Sequence, residues 1–99
     1  MPKVTPKFKK IYMEFSFTQE ERDNVLKYCT LREDIKKRFR KLAAVGSLIT
    51  VIFDKSEAIE MLTSLSQAIM EVSGDIDLKK KFEDLHDRFE SKYNEVFQK

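Results

Sequence analysis

Twice in this chain an extended apolar segment runs directly into a helix-capping sequence, and this junction restricts the fold more than any other feature. In the first instance Ile11, Met13, Phe15 and Phe17 alternate with Tyr12, Glu14 and Ser16, the period of two expected of a strand that buries one face. Thr18-Gln19-Glu20-Glu21 follows at once. The Thr18 hydroxyl is placed to accept from the Glu21 backbone N–H while the Glu21 carboxylate reaches back to Thr18, a reciprocal arrangement that starts a helix. In the second instance the β-branched run Leu48-Ile49-Thr50-Val51-Ile52-Phe53 leads into Asp54-Lys55-Ser56-Glu57, again a capping residue with Glu three positions on.

Each junction predicts a strand followed by a pair of helices. Behind the first, Val25, Leu26 and Cys29 lie on one helical face. A second capping sequence, Thr30-Leu31-Arg32-Glu33, opens a helix whose apolar stripe is Leu31, Ile35, Phe39, Leu42 and Val45 and whose natural stop is Gly46. Behind the second junction, Ile59, Leu62, Leu65, Ile69 and Val72 form a stripe that ends at Ser73-Gly74. Asp77 is then expected to cap a last helix carrying Leu78, Phe82, Leu85, Phe89, Tyr93 and Val96.

The two halves also match in sequence. Residues 34–42 and 77–85 share D-[IL]-K-K-[KR]-F-x-x-L at an offset of 43, and Phe17-Thr18-x-x-Glu21 matches Phe53-Asp54-x-x-Glu57 at an offset of 36. The difference of 7 predicts that the first helix of the second unit is longer by about two turns. The expected architecture is helix-dominated α+β: a duplicated β-α-α unit, residues 8–46 and 47–99, giving a two-stranded antiparallel ribbon packed on four helices in a single domain, with residues 1–7 flexible. The competing fold is an all-α bundle in which residues 31–53 form one long helix, since Leu31, Ile35, Leu42, Val45, Ile49 and Ile52 also keep helical spacing. Gly46-Ser47 and the β-branched run weigh against it.

A two-stranded ribbon is marginal by itself and leaves its edges open, so a homodimer is expected. Charge points the same way, because residues 1–46 carry a formal +6 and residues 47–99 a formal −4, halves that attract within one chain or between two. The aromatic residues most suited to a partner-binding rim are Tyr12, Tyr28, Tyr93 and Phe97.

Catalysis finds no support in the sequence. With two glycines, one cysteine and one histidine among 99 residues, the chain has no phosphate-binding loop, no paired cysteines and no nucleophile beside a base. Cys29 reads as a small buried hydrophobe. Glu83 and His86 have the Glu-x-x-His spacing of di-iron bundles, but a single histidine cannot supply such a centre. No cofactor, metal or small-molecule substrate is expected.

The remaining feature is a basic stripe, Arg32, Lys36, Lys37, Arg40 and Lys41, which could neutralise nucleic-acid phosphates. The same residues also cover the helix face opposite Ile35 and Phe39, where any helix in water carries its charge. Nothing resembles a signal peptide or a membrane span, and a cytoplasmic location is expected. The function expected from sequence is thus a small non-enzymatic protein-interaction module, with nucleic-acid binding through residues 32–41 as the alternative.

Overall fold

The computed structural model describes residues 11–41 and 48–98. Along the chain the elements are β1 (Tyr12–Thr18), α1 (Gln19–Tyr28), α2 (Glu33–Lys41), β2 (Leu48–Asp54), α3 (Lys55–Glu71) and α4 (Ile76–Phe97). This is the helix-dominated α+β order read from the sequence. Residues 1–7, Leu42, Val45 and the Gly46 stop lie outside the described residues. The single helix over residues 31–53 does not form, because residues 48–54 are paired strand; β-branched side chains fit a pleated surface better than a crowded helix turn.

β1 and β2 pair antiparallel, from Tyr12 opposite Asp54 to Thr18 opposite Leu48. Met13, Phe15 and Phe17 face Phe53, Val51 and Ile49 across the ladder, and all six side chains are buried. The helices cover that face. The opposite face carries Tyr12, Glu14, Thr18, Leu48, Thr50 and Ile52, all exposed, together with half-buried Ser16.

Both strand-to-helix junctions form as reciprocal capping boxes. Thr18 Oγ1 accepts from Glu21 N at 3.0 Å while Thr18 N donates to Glu21 Oε1 at 2.9 Å. Asp54 Oδ1 accepts from Glu57 N at 2.8 Å while Asp54 N donates to Glu57 Oε1 at 2.9 Å. The elements also keep the sequence offsets. α3 has 17 residues to 10 in α1, a difference of 7, and α4 begins at Ile76, 43 positions after α2 begins at Glu33.

The starts of α2 and α4 differ from expectation. α4 is capped by Asp75, whose side chain accepts from Leu78 N at 3.1 Å, and Asp77 lies inside the first turn. A tight turn, with Asp75 N donating to the Val72 carbonyl at 2.8 Å, brings the cap two residues earlier than the apolar pattern suggests. The Thr30 capping box does not form either, and α2 begins at Glu33. Leu31 is drawn into the core, and residues 29–32 stay outside any helix. Arg32 N is satisfied from another element by Glu60 Oε2 at 3.0 Å, and the Thr30 carbonyl accepts from the buried Ser64 hydroxyl at 2.6 Å.

The core is built around phenylalanine rings. Phe17 lies 4.9 Å from Phe15, 5.1 Å from Phe39, 6.3 Å from Phe53 and 6.5 Å from Phe89, ring centre to ring centre, distances at which aromatic pairs add to simple burial. β1, α2, β2 and α4 are thereby joined. α3 contributes Ala58, Met61, Leu65 and Ala68, and its C-cap residue Val72 is buried as well. This face is rotated from the predicted stripe: Ile59 is exposed, and Leu62 and Ile69 are half-buried. The two alanines are the reason, since small residues let a helix approach its neighbours closely.

Candidate interaction surface

The sequence predicts basic residues for nucleic acid and aromatic residues for a protein rim, and the structure treats the two groups differently. Arg32 Nε lies 2.9 Å from Glu60 Oε1, and Arg40 Nη1 lies 2.6 Å from Glu33 Oε2. Glu33 is held below the ordinary carboxylate range chiefly by its hydrogen bond with Arg40. Lys37 is exposed and Lys36 half-buried, and neither takes part in an ion pair among the described residues. The Lys41 side chain lies outside the described residues. Part of the basic stripe is therefore neutralised by neighbouring acids before any phosphate could approach.

Of the four aromatic candidates, Tyr12 alone is exposed, at 52%. Tyr28 is half-buried with its ring edge-on to Phe82 at 6.0 Å. Tyr93 is buried and Phe97 half-buried, with ring centres 5.2 Å apart; the stripe of α4 runs one turn further into the core than a rim position allows.

Exposed apolar side chains also lie on the helices, at Ile59, Met70 and Ile76, and on the outer face of the ribbon, where Tyr12, Leu48 and Ile52 are each about half exposed, at 52%, 45% and 49%. The register puts Ile52 opposite Glu14 and Leu48 opposite Thr18, with the Ser16 and Thr50 hydroxyls hydrogen-bonded at 2.8 Å between them. The face is mixed, with Tyr12 and Ile52 toward one end, Leu48 at the other and the polar pair between, and protein contact surfaces are about as apolar as the rest of a protein's surface. The sequence signal was present in the strand alternation, because a run such as Leu48 to Phe53 is apolar on both faces and only one can meet the helices.

The strand edges are distinguished by their backbone bonds. In an antiparallel ladder, residues alternate between turning their N–H and C=O toward the partner strand and turning both away. Thr18 N and Asp54 N donate to the capping glutamates, and the Ile52 carbonyl accepts from Arg38 Nη1 at 3.1 Å. These three bonds fix the even-numbered residues of both strands as the outward ones. On β2 the Arg38 guanidinium occupies the outer side. On β1 no hydrogen bond among the described residues reaches the backbone of Glu14 or Ser16.

The same arginine joins α2 to the second junction. Arg38 Nη1 and Nη2 donate to Glu57 Oε1 and Oε2 at 2.8 and 2.5 Å, and Glu57 is buried. This fork, helped by the Asp54 amide, holds the Glu57 carboxyl below its ordinary value even though burial pushes the other way. The first junction has a counterpart: Arg88 on α4 donates to Glu21 Oε2 and also to Asp84 Oδ2, the latter at 2.8 Å. In both halves the glutamate of the capping box is gripped by an arginine from the other half's second helix.

Other arrangements offer less chemistry. A groove of about 360 Å³ lies between the starts of α1 and α4, floored by Phe82 and Leu85, but its Lys81 is already paired with Glu20 at 2.6 Å. His86, Asp87 and Glu90 have potential ligand atoms within 4.8 Å of one another; Glu83, the predicted neighbour of His86, is not among them. Asp87 and Glu90 are exposed carboxylates, which remain well hydrated without a metal. The Cys29 thiol is buried, and burial, with Glu71 adding, pushes it up to about 12, so it carries almost no thiolate at neutral pH. No helix of the described residues is long and apolar enough to cross a membrane. Comparison with family models, curated proteins and solved structures gives no match.

Proposed function

We propose that this chain is a non-enzymatic interaction module that works through its β-ribbon, with a second copy of itself as the first partner. The observation that carries this reading is the uncovered outer face of the ribbon, where Tyr12, Leu48 and Ile52 are each about half exposed. A ribbon of two strands gains little stability alone, so a second copy that extends the sheet stabilises it, and the widened face is then open to a further protein, whose contact removes apolar area from water at about 25 cal/mol per Å². The remaining chemistry fits a scaffold better than a catalyst. Buried Glu57 is engaged by Arg38, and the cysteine is a buried thiol.

The matched offsets and the paired capping boxes support descent of the two halves from one duplicated β-α-α unit. Within that reading, pseudo-two-fold symmetry arises from the ribbon itself. A shift of 36 carries Phe15 onto Val51, its own cross-strand partner, and exchanges the Met13–Phe53 pair with the Phe17–Ile49 pair.

Sedimentation equilibrium from low to high micromolar concentration tests the proposal. A reversible dimer is expected, and a strict monomer across that range overturns self-association. Nucleic-acid binding is the competing reading, resting on Lys36 and Lys37. Fluorescence anisotropy with duplex DNA and single-stranded RNA at low salt separates the two, since the interaction module shows no binding that Lys36→Glu with Lys37→Glu abolishes.

A further inference from the structure

We infer that the outer edge of β1 is the dimer contact, pairing antiparallel with β1 of a second copy to give a continuous four-stranded sheet in the order β2-β1-β1-β2. The inference rests on the self-association proposed above and adds its place and register.

Three observations select this edge. β2 is obstructed, because the Arg38 guanidinium bonds the outward Ile52 carbonyl and Glu57 together. β1 offers the outward backbone groups of Glu14 and Ser16, which no described residue engages. Finally, Phe15 is the least covered of the three inward side chains of β1, at 9% exposure against 0% for Met13 and Phe17; it lies in the middle of the strand, where a neighbouring strand would complete its burial.

Symmetry and side chains then choose direction and register. A two-fold axis normal to the sheet sets the two β1 strands antiparallel and keeps both helix-covered faces on one side, so that the Phe15 rings meet, whereas parallel strands turn those faces to opposite sides. Three antiparallel registers let outward backbone groups meet near the strand centre. One places Glu14 opposite the second copy's Glu14, which is unfavourable for like charges. Another places Ser16 opposite the second copy's Ser16 and Glu14 opposite its Thr18, whose N–H is already given to Glu21. The third places Glu14 opposite the second copy's Ser16 and Phe15 opposite its Phe15. This third register avoids the clash of charge, adds four backbone hydrogen bonds from the two Glu14–Ser16 pairs, and covers both Phe15 rings.

The test uses the full chain and a set of edge variants followed by sedimentation equilibrium, with circular dichroism and urea unfolding as checks of folding. Glu14→Pro removes an outward N–H and leaves the β1–β2 ladder bonds intact, a substitution that edge strands tolerate. It is expected to abolish the dimer, while Thr50→Pro on the other edge leaves it intact. Ser16→Lys and Ser16→Glu test the register through side chains alone. Lysine opposite Glu14 is expected to tighten the dimer roughly three- to tenfold, and glutamate to weaken it by a similar factor. If the wild type dimerises but folded Glu14→Pro does so equally well, or if both Ser16 substitutions leave the affinity unchanged, the edge inference fails while self-association stands. A wild type that stays monomeric at high micromolar concentration overturns both.

Discussion

Arg38 reaches Glu57 from 19 positions away in sequence and binds both of its carboxylate oxygens, at 2.8 and 2.5 Å, with a third bond to the Ile52 carbonyl. One guanidinium thus fastens α2 to the end of β2 and the start of α3. Glu57 in turn uses Oε1 to hold the Asp54 amide, so the helix cap and the ion pair share one carboxylate. Breaking the pair therefore disturbs more than a surface charge.

Arg38→Met is expected to lower stability by about 2 kcal/mol in urea unfolding, between the small effect of an exposed pair and the larger one of a fully buried pair. The intermediate value follows from the site, because the Glu57 side chain is 9% exposed and that of Arg38 38%. Glu57→Gln keeps an acceptor for the Asp54 amide and is expected to cost less than Arg38→Met.

The pH dependence of the same pair has a definite sign. Glu57 is depressed below its ordinary value of 4.5 in the folded protein, so the unfolded chain takes up the proton first. Its contribution is present above about pH 4.5 and is lost as pH falls through the folded value. Arg38→Met removes the largest influence that lowers Glu57 and leaves burial, the next largest, which favours the protonated form. The stability gap between wild type and Arg38→Met is thus expected to narrow below about pH 4.5, measured by urea unfolding across a pH series. A gap that stays constant down to pH 3 contradicts the ion-pair account.

Phe17 is the central ring of the core, with four other rings around it. Phe17→Ala is expected to cost about 4 kcal/mol, a large share of the 5 to 15 kcal/mol typical of a whole domain. Exposed Ile59 is the contrasting position. Ile59→Ala, although it falls in the stripe drawn from sequence, is expected to change stability by less than about 0.5 kcal/mol. Comparison of the two melts checks both the core and the rotation of α3.

Cys29 is expected to react with Ellman's reagent at pH 8 at least about a hundredfold more slowly than a free cysteine peptide, and fully once urea unfolds the chain. A rate like that of the peptide in native buffer would contradict the burial of the thiol.

The parts of the fold that local rules control were legible in the sequence. Strand alternation, the Thr18 and Asp54 capping boxes and the 7-residue difference between α1 and α3 depend on residues within a few positions of one another. The errors arose where a distant partner decides. Glu60 on α3 accepts from Arg32 N just ahead of α2, where a local box between Thr30 and Glu33 was expected, and Ala58 and Ala68 draw α3 into a different phase from the larger Ile59 and Ile69. Tyr93, an aromatic residue near the end of the last helix, suits a rim by type, but its other reading, as part of the apolar stripe of α4, is the one the structure shows, since it continues the buried row of Phe82, Leu85 and Phe89. The basic stripe was visible as charge, but its pairing with Glu33 and Glu60 depends on helix facing and tertiary approach. The exposed ribbon face could be anticipated from alternation, and the difference between its two edges could not, since it turns on where one arginine lands.

That difference governs stoichiometry. A sheet with two equally receptive margins can add copies without limit, which is how edge pairing leads to filaments. Here the margin of β2 is already taken at Ile52 by Arg38, so a molecule joined through β1 as proposed would present no equivalent site for a third. Growth by that pairing would end at two copies, and loosening the guanidinium would be the step that turns a closed assembly into a polymerising one.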